Sequence, residues 1–147
     1  MGQSPGHGNG PSFIHAINPN GQGDVTASRL LWTSRDVGRV VGTPIARDGL
    51  LYVGDLGGTV HCLDAATGAQ VWKHETHEAI WGSLLLVGDR LYVGAVDGSM
   101  TVLRAGRRKE VLGQIQMDAP IYSPAAVDGD ALYLATSIRL YRIAITR

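Results

Sequence analysis

An apolar triplet recurs along this chain at nearly constant spacing, and the recurrence limits what the chain can fold into. Leu51-Tyr52-Val53-Gly54 returns as Leu91-Tyr92-Val93-Gly94 after 40 residues and as Leu132-Tyr133-Leu134-Ala135 after a further 41. Asp and Gly stand just before each triplet, a hairpin signal. Gly58 and Gly98 follow Gly54 and Gly94 at the same distance, each before a small hydroxyl residue, Thr59 or Ser99. A second strand pattern then repeats as Val60-His61-Cys62-Leu63, Met100-Thr101-Val102-Leu103 and Leu140-Tyr141-Arg142-Ile143. Near the N-terminus, Ile14-His15-Ala16-Ile17 and Leu31-Trp32 match Val60-His61-Cys62-Leu63 and Val71-Trp72. Self-similarity at a fixed period marks a repeat architecture.

A unit of this length with four short strands reads as one blade of a propeller. The sequence therefore predicts an all-β fold, a partial β-propeller of about three four-stranded antiparallel blades. One complete unit is expected to run through Thr43–Arg47, Leu51–Gly54, Thr59–Leu63 and Gln70–His74. The next runs through Gly82–Val87, Leu91–Ala95, Ser99–Leu103 and Glu110–Ile115. The reading divides the chain into a disordered lead over residues 1–11 and propeller repeats over 12–147: a half blade at 12–36, blades at 40–76 and 80–117, and an incomplete blade at 119–147. Composition agrees with many tight turns and two-faced sheets, since Gly is 20 of 147 residues and charged residues are 18%. Thirteen Lys and Arg balance thirteen Asp and Glu, which argues against a nucleic-acid partner. Inside the part expected to be ordered, the longest uncharged runs carry Gly or Ser and stop well short of the ~20 apolar residues of a membrane-crossing helix. Met1 to Pro11 has no basic start followed by an apolar stretch, so no export signal is read there.

The full motif, Asp48-Gly49-x-Leu51-Tyr52-Val53-Gly54, Gly58-x-Val60 and Leu63-Asp64-Ala65-x-Thr67-Gly68-x-x-x-Trp72, resembles the PQQ-like (pyrroloquinoline-quinone-like) β-propeller repeat. Such repeats build quinoprotein alcohol dehydrogenases, a propeller lipoprotein of the outer-membrane assembly machinery and many other bacterial proteins. The second unit departs from the pattern: Arg104-Ala105-Gly106-Arg107-Arg108 replaces the Asp-Ala-x-Thr-Gly turn, and it has no Trp at the Trp72 position. The residues that carry the repeat are Tyr52, Gly54, Gly58, Asp64, Thr67, Gly68, Trp72, Tyr92, Gly94, Gly98 and Tyr133, and their expected role is structural. Asp64 and Thr67 suit a turn that bonds its own backbone N–H groups, and Gly68 suits a positive φ. Trp72 is expected to lay its ring over the next blade.

Resemblance to the dehydrogenases implies PQQ, a Ca²⁺ or similar ion, an Asp base and, in many members, a disulfide between neighbouring cysteines. Cys62 is alone, so that disulfide cannot form. No cofactor and no catalytic residue are expected. His74-Glu75-Thr76-His77-Glu78 is the densest polar cluster, and His74 and His77 are the candidate metal ligands; the alternative is a solvated connector between blades. His61 and Cys62, as neighbours on a strand, point to opposite faces and cannot share an ion. His61 and His15 hold one repeat position and suggest packing between blades. Trp81 is expected as a packed inter-blade aromatic, the alternative being a ring that stacks on a ligand; Arg107-Arg108-Lys109 is expected as a solvated basic turn, the alternative being a partner contact; Asp55 and Asp97 are expected as turn-formers.

Propellers close with typically 4–8 blades, more than these units supply. The expected partners are further blades from another segment, or copies of the chain, together with a protein partner. The expected function is a non-catalytic scaffold that binds a protein or ligand within a larger propeller. The alternative is the closing blades of a PQQ-dependent oxidoreductase. The resemblance places the parent protein in the periplasm or outside the cell.

Overall fold

Short apolar runs separated by Asp-Gly and Gly-Gly turns leave no room for helices, and the described residues contain none. The computed structural model describes residues 2–3, 12–20, 22–24 and 28–144. Fourteen strands form four antiparallel sheets, each a meander in chain order. Blade I holds β1 (Gly2–Gln3), β2 (Phe13–Ile17) and β3 (Leu30–Ser34). Blade II holds β4 (Ile45–Arg47), β5 (Leu50–Gly54), β6 (Thr59–Asp64) and β7 (Gln70–Glu75). Blade III holds β8 (Leu85–Val87), β9 (Arg90–Gly94), β10 (Ser99–Arg104) and β11 (Val111–Gln116). Blade IV holds β12 (Ala126–Asp128), β13 (Ala131–Ala135) and β14 (Leu140–Ala144). The chain is all-β and forms part of a propeller.

The repeat seen in sequence is kept in register. Tyr52 stands opposite Cys62 and Cys62 opposite Trp72; forty residues on, Tyr92 stands opposite Val102 and Val102 opposite Gly113. In blade I, Ala16 stands opposite Trp32. All three outer pairings shift register at the next residue, between Ala16 and Ile17, Cys62 and Leu63, and Val102 and Leu103. A bulge there re-aims the outer strand in the same way in each blade.

Blades II and III are apolar on both faces because each is packed between two neighbours. Strand alternation sends Tyr52 and Cys62 one way and Val53 and Leu63 the other. Leu50, Tyr52, Val60, Cys62 and Trp72 pack with Ile80, Leu84, Leu91, Val93 and Leu103 across the interface of blades II and III. Val53 and Leu63 face blade I and meet Ile14 and Val37. Met100 of blade III meets Ile121, Ala125, Leu132 and Leu134 on the blade IV side. Backbone hydrogen bonds repeat across these interfaces: Leu56, Val96 and Ser137 donate to Arg39, Ala79 and Pro120 in turn. Blades II, III and IV thus pin their middle hairpins to the connectors that enter them.

Two expectations need correction. Gly2 and Gln3, inside the stretch read as a disordered lead, pair with Ile14 and Phe13. Gly2 stands against Ile14 as Gly54 stands against Val60, so β1 supplies the ladder that β2 would otherwise lack. Residues 1 and 4–11 of that lead, and 145–147 of the last blade, lie outside the described residues. The innermost strands are also shorter than expected, starting at Ile45 and Leu85. Thr43 leaves the ladder because its N–H donates to Ser83 Oγ of the next blade, at 2.8 Å.

Candidate functional site

The repeat motif assembles into clasps between blades. The outer strand of blade I carries Trp32, whose indole N–H donates to Ala65 O of blade II at 3.0 Å. Its ring lies on Gly68, where a Cβ would overlap it, and Gly68 also holds φ +73°. Only glycine satisfies both demands. Asp64 braces the same turn: its Oδ1 accepts from Ala66 N, Thr67 N and Thr67 Oγ1, each at 3.2 Å, and Thr67 Oγ1 accepts from Ala69 N at 3.3 Å. One repeat on, Trp72 donates to Gly106 O of blade III at 2.8 Å, and Gly106 N donates to Tyr52 Oη at 2.7 Å. The Tyr52 and Trp72 rings lie 5.9 Å apart and tilted by 45°. Thus the outer-strand tryptophans of blades I and II are each held by a turn of the following blade.

The other motif residues hold equivalent places. A Cβ on Gly54 would run into Ile80, and one on Gly94 into Ile121. Gly58 and Gly98 close the middle hairpins, donating to Asp55 O and Ala95 O at 3.1 and 3.0 Å. Tyr52 is buried, whereas Tyr92 and Tyr133 are half-buried at the matching strand position.

Blade II holds a buried polar network that the sequence reading divided among separate roles. His61 Nε2 lies 2.9 Å from Asp55 Oδ2, and both side chains are within 5% of full burial. Asp55 also accepts from Gly38 N and Thr59 N, each at 2.9 Å. His61 Nδ1 lies 3.1 Å from Gln70 Oε1, and Gln70 Nε2 donates to Cys62 O at 3.2 Å. Burial pushes the Asp55 carboxyl up, but the hydrogen bonds from His61, Thr59 and Gly38 outweigh it and hold it below its ordinary value. Both ring nitrogens of His61 are engaged, so neither is free to ligate a metal or take a proton from a substrate. Asp55 closes its turn and also ties β5 to the segment entering blade II. The repeat position shared with His15 was visible in sequence; the partners were not, because Asp55 lies in the turn after β5 and Gln70 on β7.

The remaining candidates stay apart from any reaction centre. His74 is half-buried, and its pKa is lowered first by that burial and then by the charges of Lys109 and His77. His77 sits in a left-handed turn at φ 68°. Among the described residues, no group of three or more His, Cys, Asp and Glu side chains is placed to hold a metal ion. Burial pushes the Cys62 thiol up to about 11, which keeps it protonated and unreactive at neutral pH. Arg107 of the basic turn pairs with Asp64 of the preceding blade at 2.7 Å.

Two surface features stand out instead. Val41, Trp81 and Tyr122 occupy one repeat position on successive connectors and are 52%, 50% and 54% exposed. These connectors touch: a Cβ on Gly42 would meet Gly82 O and Ser83 Cα, and one on Gly82 would meet Ser123 and Pro124. Trp81 and Tyr122 pack edge to face, with centroids 6.4 Å apart. Trp81 is therefore half exposed beside a second aromatic, not enclosed between sheets as expected. The second feature is a recess on blade III, where Gly113 leaves Tyr92 and Val102 without the cover that Trp72 gives Tyr52 and Cys62.

Comparison with known proteins agrees with this architecture. The chain is 29% identical over 87 residues to quinohemoprotein alcohol dehydrogenase ADH IIB of Pseudomonas putida, covering 52% of this chain and 13% of that protein. It is 30% identical over 86 residues to quinohemoprotein alcohol dehydrogenase of Comamonas testosteroni, covering 51% and 12%. Among solved structures, BamB from Moraxella catarrhalis matches with a TM-score of 0.65 and 20% identity, over 80% of this chain and 37% of that one. Quinohemoprotein alcohol dehydrogenase ADHIIG from Pseudomonas putida matches with a TM-score of 0.60 and 22% identity, over 67% and 17%. The chain thus spans less than two fifths of each of these proteins. A family profile described as "Outer membrane protein assembly factor BamB" matches residues 14–146. With its strand register, inter-blade tryptophan clasps and this match over nearly its whole length, the chain belongs to that PQQ-like propeller family.

Proposed function

We propose that the chain is a non-catalytic propeller segment that presents the Val41–Trp81–Tyr122 row to a protein partner, within a longer propeller of the periplasm or cell surface. The single observation that carries this reading is the row itself. Three large apolar side chains stay about half exposed at equivalent places on touching connectors. Exposed aromatics on a rigid frame are the kind of anchor that protein interfaces bury. The family description, an outer-membrane protein assembly factor, supports a partner in that process.

A photo-crosslinking amino acid placed at Trp81 in the full-length parent tests this in cells. The expected result is one discrete crosslinked species from position 81 and none from Lys73, an exposed site on β7. Equal labelling from both positions would overturn the proposal.

The likeness to two quinohemoprotein alcohol dehydrogenases favours a second reading, part of a PQQ-dependent oxidoreductase. The described residues do not fit that cofactor. Cys62, the one cysteine of the sequence, is enclosed beside Tyr52 and Gly106, and no acidic or histidine group clusters as an ion site. Alcohol-dependent dye reduction by the parent protein with added PQQ and Ca²⁺ would replace the scaffold reading with this one.

A further inference from the structure

The hydrogen bonds around His61 determine how many protons its ring carries. Nδ1 lies 3.1 Å from Gln70 Oε1, and Nε2 lies 2.9 Å from Asp55 Oδ2. The Gln70 amide stands only one way round, because its nitrogen faces two carbonyl oxygens, Cys62 O and Trp72 O. Carbonyls accept and never donate, so the NH₂ belongs on that side and Oε1 is left to accept from His61. Asp55 receives backbone N–H donors on both oxygens, Gly38 on Oδ2 and Thr59 on Oδ1, as an ionised carboxylate does. Both ring nitrogens therefore face acceptors. A neutral imidazole would turn a lone pair toward one of them, in a site where the His61 and Asp55 side chains are 3% and 5% exposed. Acceptor set against acceptor is costly there because no water relieves it.

The other charges near the ring do not take over its role. Lys73 stands opposite His61 on β7, but its ammonium reaches solvent and pairs with Glu75 at 3.2 Å. Asp36 and Arg39 flank Val37 and Gly38 on the connector, and Asp36 is exposed. Opposite His61 on β5 is Val53, and blade I covers that face with Ile14 and Val37. The Asp55 oxygen that takes His61 is also the one that takes Gly38 N, and a Cβ at Gly38 would overlap it. The connector from blade I is thus seated on the ion pair, three residues before Val41. In blade III, Ala95 and Thr101 hold the places of Asp55 and His61, and the bond from Val96 N to Ala79 O at 3.1 Å stands without a charge.

We propose that His61 is an imidazolium paired with the Asp55 carboxylate and that its second proton latches the connector from blade I. A ring with one proton serves Asp55 or Gln70, not both, and leaves a buried carboxylate without its counter-charge, which favours opening toward water. The fastening is complete while the ring is charged and is lost as pH rises, on the opposite side from its loss when Asp55 is protonated. The interface of blades I and II then loosens, and that of blades II and III stays closed.

Ring ¹⁵N signals and backbone amides of the labelled full chain, followed from about pH 5 to about pH 9.5, test this. Near pH 7 both ring nitrogens of His61 are expected to carry protons. The Gly38 and Thr59 amide signals are expected to move in one step with ring deprotonation. Hydrogen exchange at Leu56, which donates to Arg39 O, is expected to rise about tenfold across that step, beyond its ordinary pH dependence. Val96, the equivalent donor of blade III, is expected to show neither change. Gln70 meets solvent, so Gln70→Leu leaves the core intact; it removes one acceptor and is expected to bring the step to lower pH by about 0.5–1 unit. Gln70→Glu, which offers the ring a charged acceptor, is expected to move the step upward. A neutral tautomer near pH 7, a Gly38 signal that does not follow the ring, or a step left in place by Gln70→Leu would overturn the proposal.

Discussion

Blades II and III are copies of one plan, and they differ in how tightly they are fastened. Both have four strands, the same bulge and the same hairpin glycines. Blade II adds a tryptophan clasp and a buried Asp55–His61–Gln70 network. In blade III the places of Trp72, Asp55, His61 and Gln70 are taken by Gly113, Ala95, Thr101 and Val111. Asp97 there keeps a lesser part of the task, accepting from Ser99 N at 2.8 Å, while Ser99 Oγ is buried with no partner. The lesson is that strand pairing and two-faced burial are enough to make a blade. The clasps fasten particular interfaces.

The largest test of that difference is to remove the clasp. Trp72 is 8% exposed, so Trp72→Ala is expected to lower stability by about 3–5 kcal/mol in urea denaturation, from the cavity and the lost bond to Gly106. Gly113→Ala should change stability by no more than about 1 kcal/mol, and upward, because its Cβ enters open space. If the two variants lost stability equally, the two interfaces would not differ as described.

Next comes the polar network, which only blade II has. Asp55→Asn weakens charge-assisted bonds to His61, Gly38 and Thr59 and is expected to cost about 2–3 kcal/mol near neutral pH. Its carboxyl is held below the ordinary value, so the folded state releases this proton more readily than the unfolded one. The contribution is then complete above the unfolded value, near 4, and is lost as pH falls through the lower folded value. Acid titration of stability should show a steeper loss in the unaltered chain than in Asp55→Asn. Parallel curves would mean that Asp55 is not the group responsible.

Filling the open interface should have a smaller effect in the opposite direction. Gly113→Leu is expected to raise stability by about 0.5–2 kcal/mol, as cavity filling commonly does, with a matching rise in melting temperature. The equivalent position of blade II is already occupied by Trp72.

Much of this was legible in the sequence because repetition carries register. The spacing from Tyr52 to Tyr92 and Tyr133 located the second strand of three blades, and Leu31-Trp32 located the outer strand of the first. Trp72 was expected over the next blade, and Asp64, Thr67 and Gly68 as one turn. What escaped depends on contacts between strands far apart in the chain. Asp55 looked like a turn residue because hairpin glycines, Gly54 and Gly57-Gly58, flank it; its partner Gly38 belongs to a connector with no motif of its own. Trp81 was expected in packing because tryptophan is most often buried. Its exposure accompanies a close approach of successive connectors at Gly42 and Gly82, a contact between backbones far apart in the chain. The missing Trp in blade III was noted, but a gap in a motif does not reveal a cavity until the walls are placed.

The smallest effect belongs to the basic turn. Arg107 reaches back from blade III to Asp64 of blade II, and the guanidinium beside Asp64 is the first cause that holds its carboxyl below the ordinary value. Both groups meet solvent, Arg107 at 67% exposure, so water and salt screen the pair and side-chain entropy opposes it. Asp64 also keeps its own turn closed through Ala66 and Thr67 without Arg107. Arg107→Ala is therefore expected to leave the urea midpoint within error of the unaltered chain, at low salt and at about 0.5 M salt alike. A clear loss at low salt that vanished at high salt would show that blades II and III are held by charge as well as by the tryptophan clasp, and would narrow the contrast between the two interfaces of blade III.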